Sequence, residues 1–335
     1  MKVLLDHPLP FSLAHGGVEI QIEQTKAALE NAGVEVEYLR WWDVNQRGDI
    51  IHFVGRPAPD YIALAQGRGF NVVMAELLTA TGSRSSRQLA FQKLFIRLSR
   101  KLLPQTFTSR LAWDSYRLAD ACIALTSWEA QLMRDLFNAP GDRVHVVPNG
   151  VEEVFLGGPR GVRGDWLVCT ATITERKRVL ELAQAAVEAQ VPVWIVGRAY
   201  SESDPYAKRF FELAKQHPRL IRYEGAIADR SKLAAVYREA RGFVLLSNME
   251  SLSLSALEAA ACGCPLLLSD LPWARGTFNG HARYSPIGTP RETASILKAF
   301  YHEAGQLAPP PRPASWADVA VHLKTLYQRL LSTSR

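Results

Sequence analysis

No Asp-x-Asp pair occurs anywhere in the 335-residue chain, and its four cysteines show neither zinc spacing nor a redox pair two residues apart. A divalent metal held by clustered carboxylates is therefore not expected. Cys122, Cys169, Cys262 and Cys264 read as small core thiols, which suits a reducing cytoplasm. Apolar runs fall short of the ~18 residues that span a bilayer. The opening MKVLLDHPLPF reads as a strand and a proline-rich turn through Pro8 and Pro10, without the apolar centre of a secretory signal. Acidic residues are missing between Glu76 and Asp114.

Composition otherwise describes a soluble globular chain: 47% hydrophobic, 21% charged, formal net charge +6. The length suggests two domains. Strand-like and helix-like segments alternate, which places the chain in the α/β class. Expected strands begin at Val3, Val34, Ile50, Asn71, Ala121 and Val144. Pro148-Asn149-Gly150 breaks the alternation, and a linker follows with Gly157, Gly158, Pro159, Gly161 and Gly164. The alternation restarts at Trp166. Two doubly wound, Rossmann-like domains with a cleft between them are the simplest architecture, with ligands at the carboxyl ends of the strands. The expected boundaries are 1–152 and 153–314, with a last helix over 315–333.

The most informative stretch is GFVLLSNMESLSLSALEAAACGCPLLLSD. A buried strand ends near Ser247, a polar turn follows, and helical spacing starts near Ser253. The amides of Leu252, Ser253 and Leu254 then stand at a helix N-terminus, after Ser251, where a phosphate is favoured. Glu258, inside the helix, could accept hydrogen bonds from ribose hydroxyls; Glu250, ahead of it, could do so from a transferred sugar. An ordinary Ser cap with a dipole-compensating Glu would give the same spacing.

This segment resembles the C-terminal signature of retaining glycosyltransferase family 4, in which two Glu residues are separated by seven others. LAHGGVEIQIEQTKAALENAGVEVEYL, DIIHFVG, ADACIALTSWEAQLMRD and RVHVVPNGVEEVF resemble the family's first domain and crossing. VPVWIVG, ending at Gly197, and LIRYEGAIADRSKLAAVYREARGFVLLSNMES resemble its donor domain. SWADVAVHLKTLYQRLL resembles its last helix, which packs back on the first domain. The resemblance implies a GT-B fold and a nucleotide diphosphate-sugar donor (UDP-, GDP- or ADP-linked), with no cofactor or metal. It also implies a sugar, polyol or lipid-linked acceptor. It places Gly16 and Gly17 against the donor phosphate and acceptor, Lys177 on the diphosphate, Ile227 in the turn that holds the base, and Asn149–Gly150 near the sugar. Catalysis would rest on Glu250 for sugar orientation and on Lys177 for diphosphate stabilisation.

Two departures stand out. Ala171 and Thr172 occupy positions where the family usually has Gly-Arg, so Arg176 or Arg178 would have to supply the second cation. The His usual after the fourth strand is missing from MAELLTATGS. Glu76 and Thr79 are the nearest polar groups there, and with Arg84 and Arg87 they are the acceptor-site candidates. His52 reads as structural. These losses leave open a second reading, a catalytically impaired scaffold that binds nucleotide-sugars or regulates. The basic stretch 84–110 carries Arg84, Arg87, Lys93, Arg97, Arg100, Lys101 and Arg110, with Leu89, Leu94, Phe95, Leu98 and Leu102 at near-helical spacing. It reads as a core-facing helix with a solvated side, as a peripheral contact with an anionic membrane face, or as a site for an anionic acceptor. Nucleic acid is not expected, since no binding module appears.

Overall fold

The computed structural model describes residues 1–9, 16–104, 109–158 and 162–333. Pro10 and residues 13–15 of the glycine loop, 105–108 of the basic stretch, and Pro159 and Gly161 of the linker lie outside the described residues. The chain divides into two compact units, Met1–Gly150 with Trp316–Arg335, and Val151–Ser315.

In the first unit, six parallel strands form one sheet: β1 (Lys2–Asp6), β2 (Glu35–Tyr38), β3 (Ile50–Val54), β4 (Asn71–Ala75), β5 (Ala121–Ala124) and β6 (Val144–Val146). Their spatial order is β2-β1-β3-β4-β5-β6. Every residue of β3, β4 and β5 is buried, because helical crossovers cover both faces of a parallel sheet. That is why IIHFV, NVVMA and ACIA read as apolar runs rather than as alternating strands. Ile62, Met74, Tyr116, Met133 and Phe137 belong to the core on one side of this sheet.

The last helix, Trp316–Thr333, packs on the helix Gly17–Asn31 of the same unit. Two polar contacts tie it down. Lys324 Nζ donates to the carbonyl of Ala32 at 2.6 Å, supplying a partner at the end of the facing helix. His52 Nδ1 and the Tyr327 hydroxyl are hydrogen-bonded at 2.6 Å, both side chains being buried.

The second unit repeats the plan with β7 (Leu167–Thr170), β8 (Val193–Val196), β9 (Ile221–Tyr223), β10 (Gly242–Leu245), β11 (Leu266–Ser269) and β12 (Arg283–Ser285). The order is β12-β11-β10-β7-β8-β9, again all parallel. All four cysteines are buried, and burial pushes their thiols up to about 12, 12, 11 and 12 in chain order. They are inert packing groups at neutral pH.

Burial holds His52 near pKa 4, against an ordinary 6.5. Its contribution to stability is complete above pH 6.5 and lost as pH falls towards 4, an effect of roughly 3 kcal/mol. Urea unfolding across that range should show the decline, and His52→Asn should flatten it. An unchanged pH slope in the variant would contradict this assignment.

Candidate functional site

In the second unit the chain leaves β7 towards β8 and β9 on one side. It returns at β10 on the other side and proceeds to β11 and β12. The crossovers therefore part between β7 and β10, and the loops at the carboxyl ends of these two strands flank a crevice. Hydrogen bonds knit the loops at this end of the sheet together. Gly197 N donates to Gly225 O at 3.0 Å, Ile173 N to Arg198 O at 3.1 Å, and Asn248 N to Arg176 O at 2.8 Å. Gly197 has φ +158°, and a Cβ there would stand 1.9 Å from the carbonyl oxygen of Ala171. Its glycine is required by the approach of one loop to another.

Lys177 reaches the crevice from the β7 loop and Glu250 from the β10 loop. Lys177 Nζ donates to Glu250 Oε1. Arg176 Nη1 donates to the Met249 carbonyl at 3.1 Å and to the same Oε1 at 3.4 Å. Arg178 turns elsewhere: it is buried and donates to the Gly288 carbonyl. Of the two cations that could replace the missing arginine, Arg176 is the one placed beside Glu250. The turn Glu175–Lys177 is set by Thr174, whose side chain accepts from Lys177 N at 3.4 Å.

The helix Leu254–Ala261 begins directly after Glu250–Ser253. Ser253 caps it, with Oγ accepting from Ala256 N at 3.4 Å. Ser251, Leu252 and Ser253 are buried. The first-turn amides and the helix dipole thus lie in a protein-lined setting, where electrostatic effects are stronger than at an exposed surface.

Glu258, on the same helix, is 5% exposed and held by groups that sequence reading did not single out. Arg230 Nη2 donates to its Oε1, and Tyr237 OH to its Oε2 at 3.2 Å. Arg230 also binds Glu152 through Nε at 2.6 Å and lies 4.7 Å from the Phe155 ring centroid. Burial pushes the Glu258 carboxyl above the ordinary glutamate range, opposed by the Arg230 charge. The available signal was the seven-residue spacing of Arg230 and Tyr237, which puts both on one face of the helix Arg230–Glu239. Arg230 follows the helix-capping Asp229, so it reads as an ordinary solvated first turn.

The remaining candidates fall as follows. Ile227 is partly buried in the loop after β9, beyond Gly225. Gly16, Gly17, Glu76, Thr79, Arg84 and Arg87 belong to the first unit. Gly16 (φ +142°) is the N-cap residue of the helix Gly17–Asn31. Glu76 is engaged by Arg56 at 2.7 Å on both oxygens and by the Tyr116 hydroxyl. Thr79 starts the short helix Thr79–Gly82 and accepts from Ser83 Oγ through its carbonyl. Arg84 is exposed and donates to Gln92, and Arg87 is exposed. Among the described residues, no group of three or more His, Cys, Asp or Glu is placed to hold a metal ion.

Paired six-stranded parallel sheets of this kind define the GT-B class of fold. Sucrose-phosphate synthase from Thermosynechococcus elongatus matches with a TM-score of 0.70 over 99% of both chains at 18% identity. The Anabaena protein HepE, in complex with UDP, matches with a TM-score of 0.67 over 99% of both chains at 15% identity. The family described as glycosyl transferases group 1 matches residues 164–323, and that described as glycosyltransferase family 4 matches residues 38–154. The chain belongs to the family 4 type of GT-B glycosyltransferases. A D-inositol 3-phosphate glycosyltransferase from Jonesia denitrificans is 28% identical over 59% of this chain and 47% of its own length. One from Frankia alni is 33% identical over 43% and 40%. The mannosyltransferase WbdA of Escherichia coli is 27% identical over 66% and 30%. The chain thus spans less than half the length of these curated relatives.

Arg230→Met should destabilise the chain by up to ~3 kcal/mol, because it leaves a buried carboxylate without its counter-ion. The loss should grow as pH rises, since ionised Glu258 is then the costly state. Adding Glu258→Gln should restore most of it in chemical unfolding. Equal stability of the single variant and the parent would refute the pairing.

Proposed function

We propose that the chain is a retaining hexosyltransferase. It moves a sugar from a nucleotide diphosphate donor to a sugar, polyol or lipid-linked acceptor, without a divalent metal. The observation that carries this reading is the meeting of Lys177 and Glu250 at the β7–β10 switch point, beside the start of the helix that holds Glu258.

In this scheme the bond from the anomeric carbon to the diphosphate oxygen breaks as the acceptor oxygen bonds on the same face. The acceptor proton passes to the departing diphosphate. Lys177, Arg176 and the amides of residues 252–254 stabilise the charge that grows on that diphosphate. Glu250 orients sugar hydroxyls. Glu258 accepts from the ribose: a carboxylate offers about four lone-pair sites, and Arg230 and Tyr237 use two. The fixed guanidinium then serves to aim the carboxylate. Metal independence rests on the missing Asp-x-Asp pair, and chelator should leave turnover unchanged. The Anabaena neighbour has been seen with UDP and with UDP-glucose, so uridine donors are the first to test, ahead of GDP and ADP donors.

Glu258→Ala should weaken nucleotide binding by about tenfold or more in titration calorimetry with UDP, GDP and ADP. Glu250→Ala should keep affinity and lower turnover by about a hundredfold. Unchanged affinity in Glu258→Ala would count against the site. Tight nucleotide binding without transfer or donor hydrolysis on a broad acceptor panel would favour the impaired-scaffold reading.

A further inference from the structure

The helix Ser86–Leu102 is held to the first unit along one narrow seam. A capping box fixes its start: Ser85 Oγ accepts from Gln88 N, and Gln88 Oε1 accepts from Ser85 N at 2.8 Å. Only a narrow seam is buried, through Leu89, Ile96 and Ser99, and the helix packs against the helix Ser127–Phe137. Leu89 and Ile96 are seven residues apart, so one stripe suffices to anchor it.

The apolar residues outside that seam are exposed. Phe91, Leu94, Phe95, Leu98 and Leu102 are 72%, 54%, 52%, 46% and 73% accessible. Their steps of three and four residues put all five on one side of the helix. A surface helix whose only apolar stripe faced the core would show polar residues there. This helix has two apolar stripes, and the larger side chains lie on the outer one.

Charge identifies what covers it. Arg97 and Lys101 line one flank of the outer stripe, with Arg87 at its leading end and Lys93 further round, towards the buried seam. None of the four forms an ion pair with a described residue. No acidic residue lies between Glu76 and Asp114 to neutralise them. A second copy of this chain would bring the same cations face to face. Seventeen residues with this many cations do not span a bilayer, and no helix among the described residues is long and apolar enough to do so.

We propose that this outer face docks on an anionic phospholipid bilayer, with the helix axis in the plane of the surface. The five apolar side chains enter the headgroup–acyl boundary, and the cationic row contacts lipid phosphates. Arg100 is occupied within the unit, where its Nη2 donates to the Trp113 carbonyl at 3.2 Å and contacts Asp114 at 3.4 Å. It holds the helix to the unit and is left out of the docking face.

The test is co-sedimentation of the full chain with vesicles of phosphatidylcholine alone or mixed with phosphatidylglycerol. Binding is expected to the mixed vesicles only and to fall as salt is raised. Arg97→Glu with Lys101→Glu should weaken it by about tenfold or more. Phe91→Ser with Leu98→Ser should abolish it; all four positions are exposed, so thermal melting should match the parent. The proposal is overturned by no sedimentation with either vesicle, or by binding that neither pair of substitutions changes. It is also overturned if Phe91→Ser with Leu98→Ser breaks a concentration-dependent dimer of a parent that does not bind vesicles, because a second copy then covers the face.

Discussion

A parallel sheet whose crossovers reverse direction must leave two neighbouring strand ends uncovered by either set of helices. In the second unit these ends belong to β7 and β10, and the charged groups of the candidate site gather around them. Lys177 and Glu250 are far apart in sequence, yet each sits within a few residues of the end of one of these strands. The backbone bonds from Gly225 through Gly197 and from Asn248 to Arg176 fix the loops, so the side chains inherit a position that the sheet order dictates. Chemistry at this place follows from topology first and from residue identity second.

The two glutamates of the signature solve the problem of a charge withdrawn from water in different ways. Glu250 has two cations from a neighbouring loop, and Arg176 is the more exposed of the two. Glu258 is enclosed by a guanidinium and a buried phenol, and Arg230 is itself shared with Glu152 and rests near the Phe155 ring. The first arrangement suits a carboxylate that exchanges partners when a substrate arrives. The second suits one that is held at a fixed angle. A buried charge held by two fixed donors is costly to disturb, which gives Glu258 a defined direction.

Much of the fold could be read from the chain. Apolar runs such as NVVMA and LLLS mark strands covered on both faces, and the break at Pro148-Asn149-Gly150 falls where one unit gives way to the next. The glutamate signature was legible because both acids and the helix cap lie within a dozen residues. The contacts of Lys177 with Glu250 and of Arg230 with Glu258 were not, because no local spacing records which loops a sheet will bring together. Gly197 is glycine for a reason that its place in the sequence does not record. The carbonyl of Ala171, from a neighbouring loop, leaves no room there for a side chain. The basic helix stayed ambiguous for a physical reason as well: leucines at helical spacing fit two stripes, and only coordinates tell the buried seam from the exposed one.

The activity proposed for this chain requires the β7–β10 junction to receive the diphosphate of an activated sugar. A crystal structure of the chain grown with UDP addresses it directly. Phosphate oxygens are expected within hydrogen-bonding distance of Lys177 Nζ and of the amides at residues 252–254, with ribose hydroxyls on Glu258. A nucleotide bound elsewhere on the second unit, with the Lys177–Glu250 pair undisturbed and no phosphate near it, would rule out this junction as the donor site.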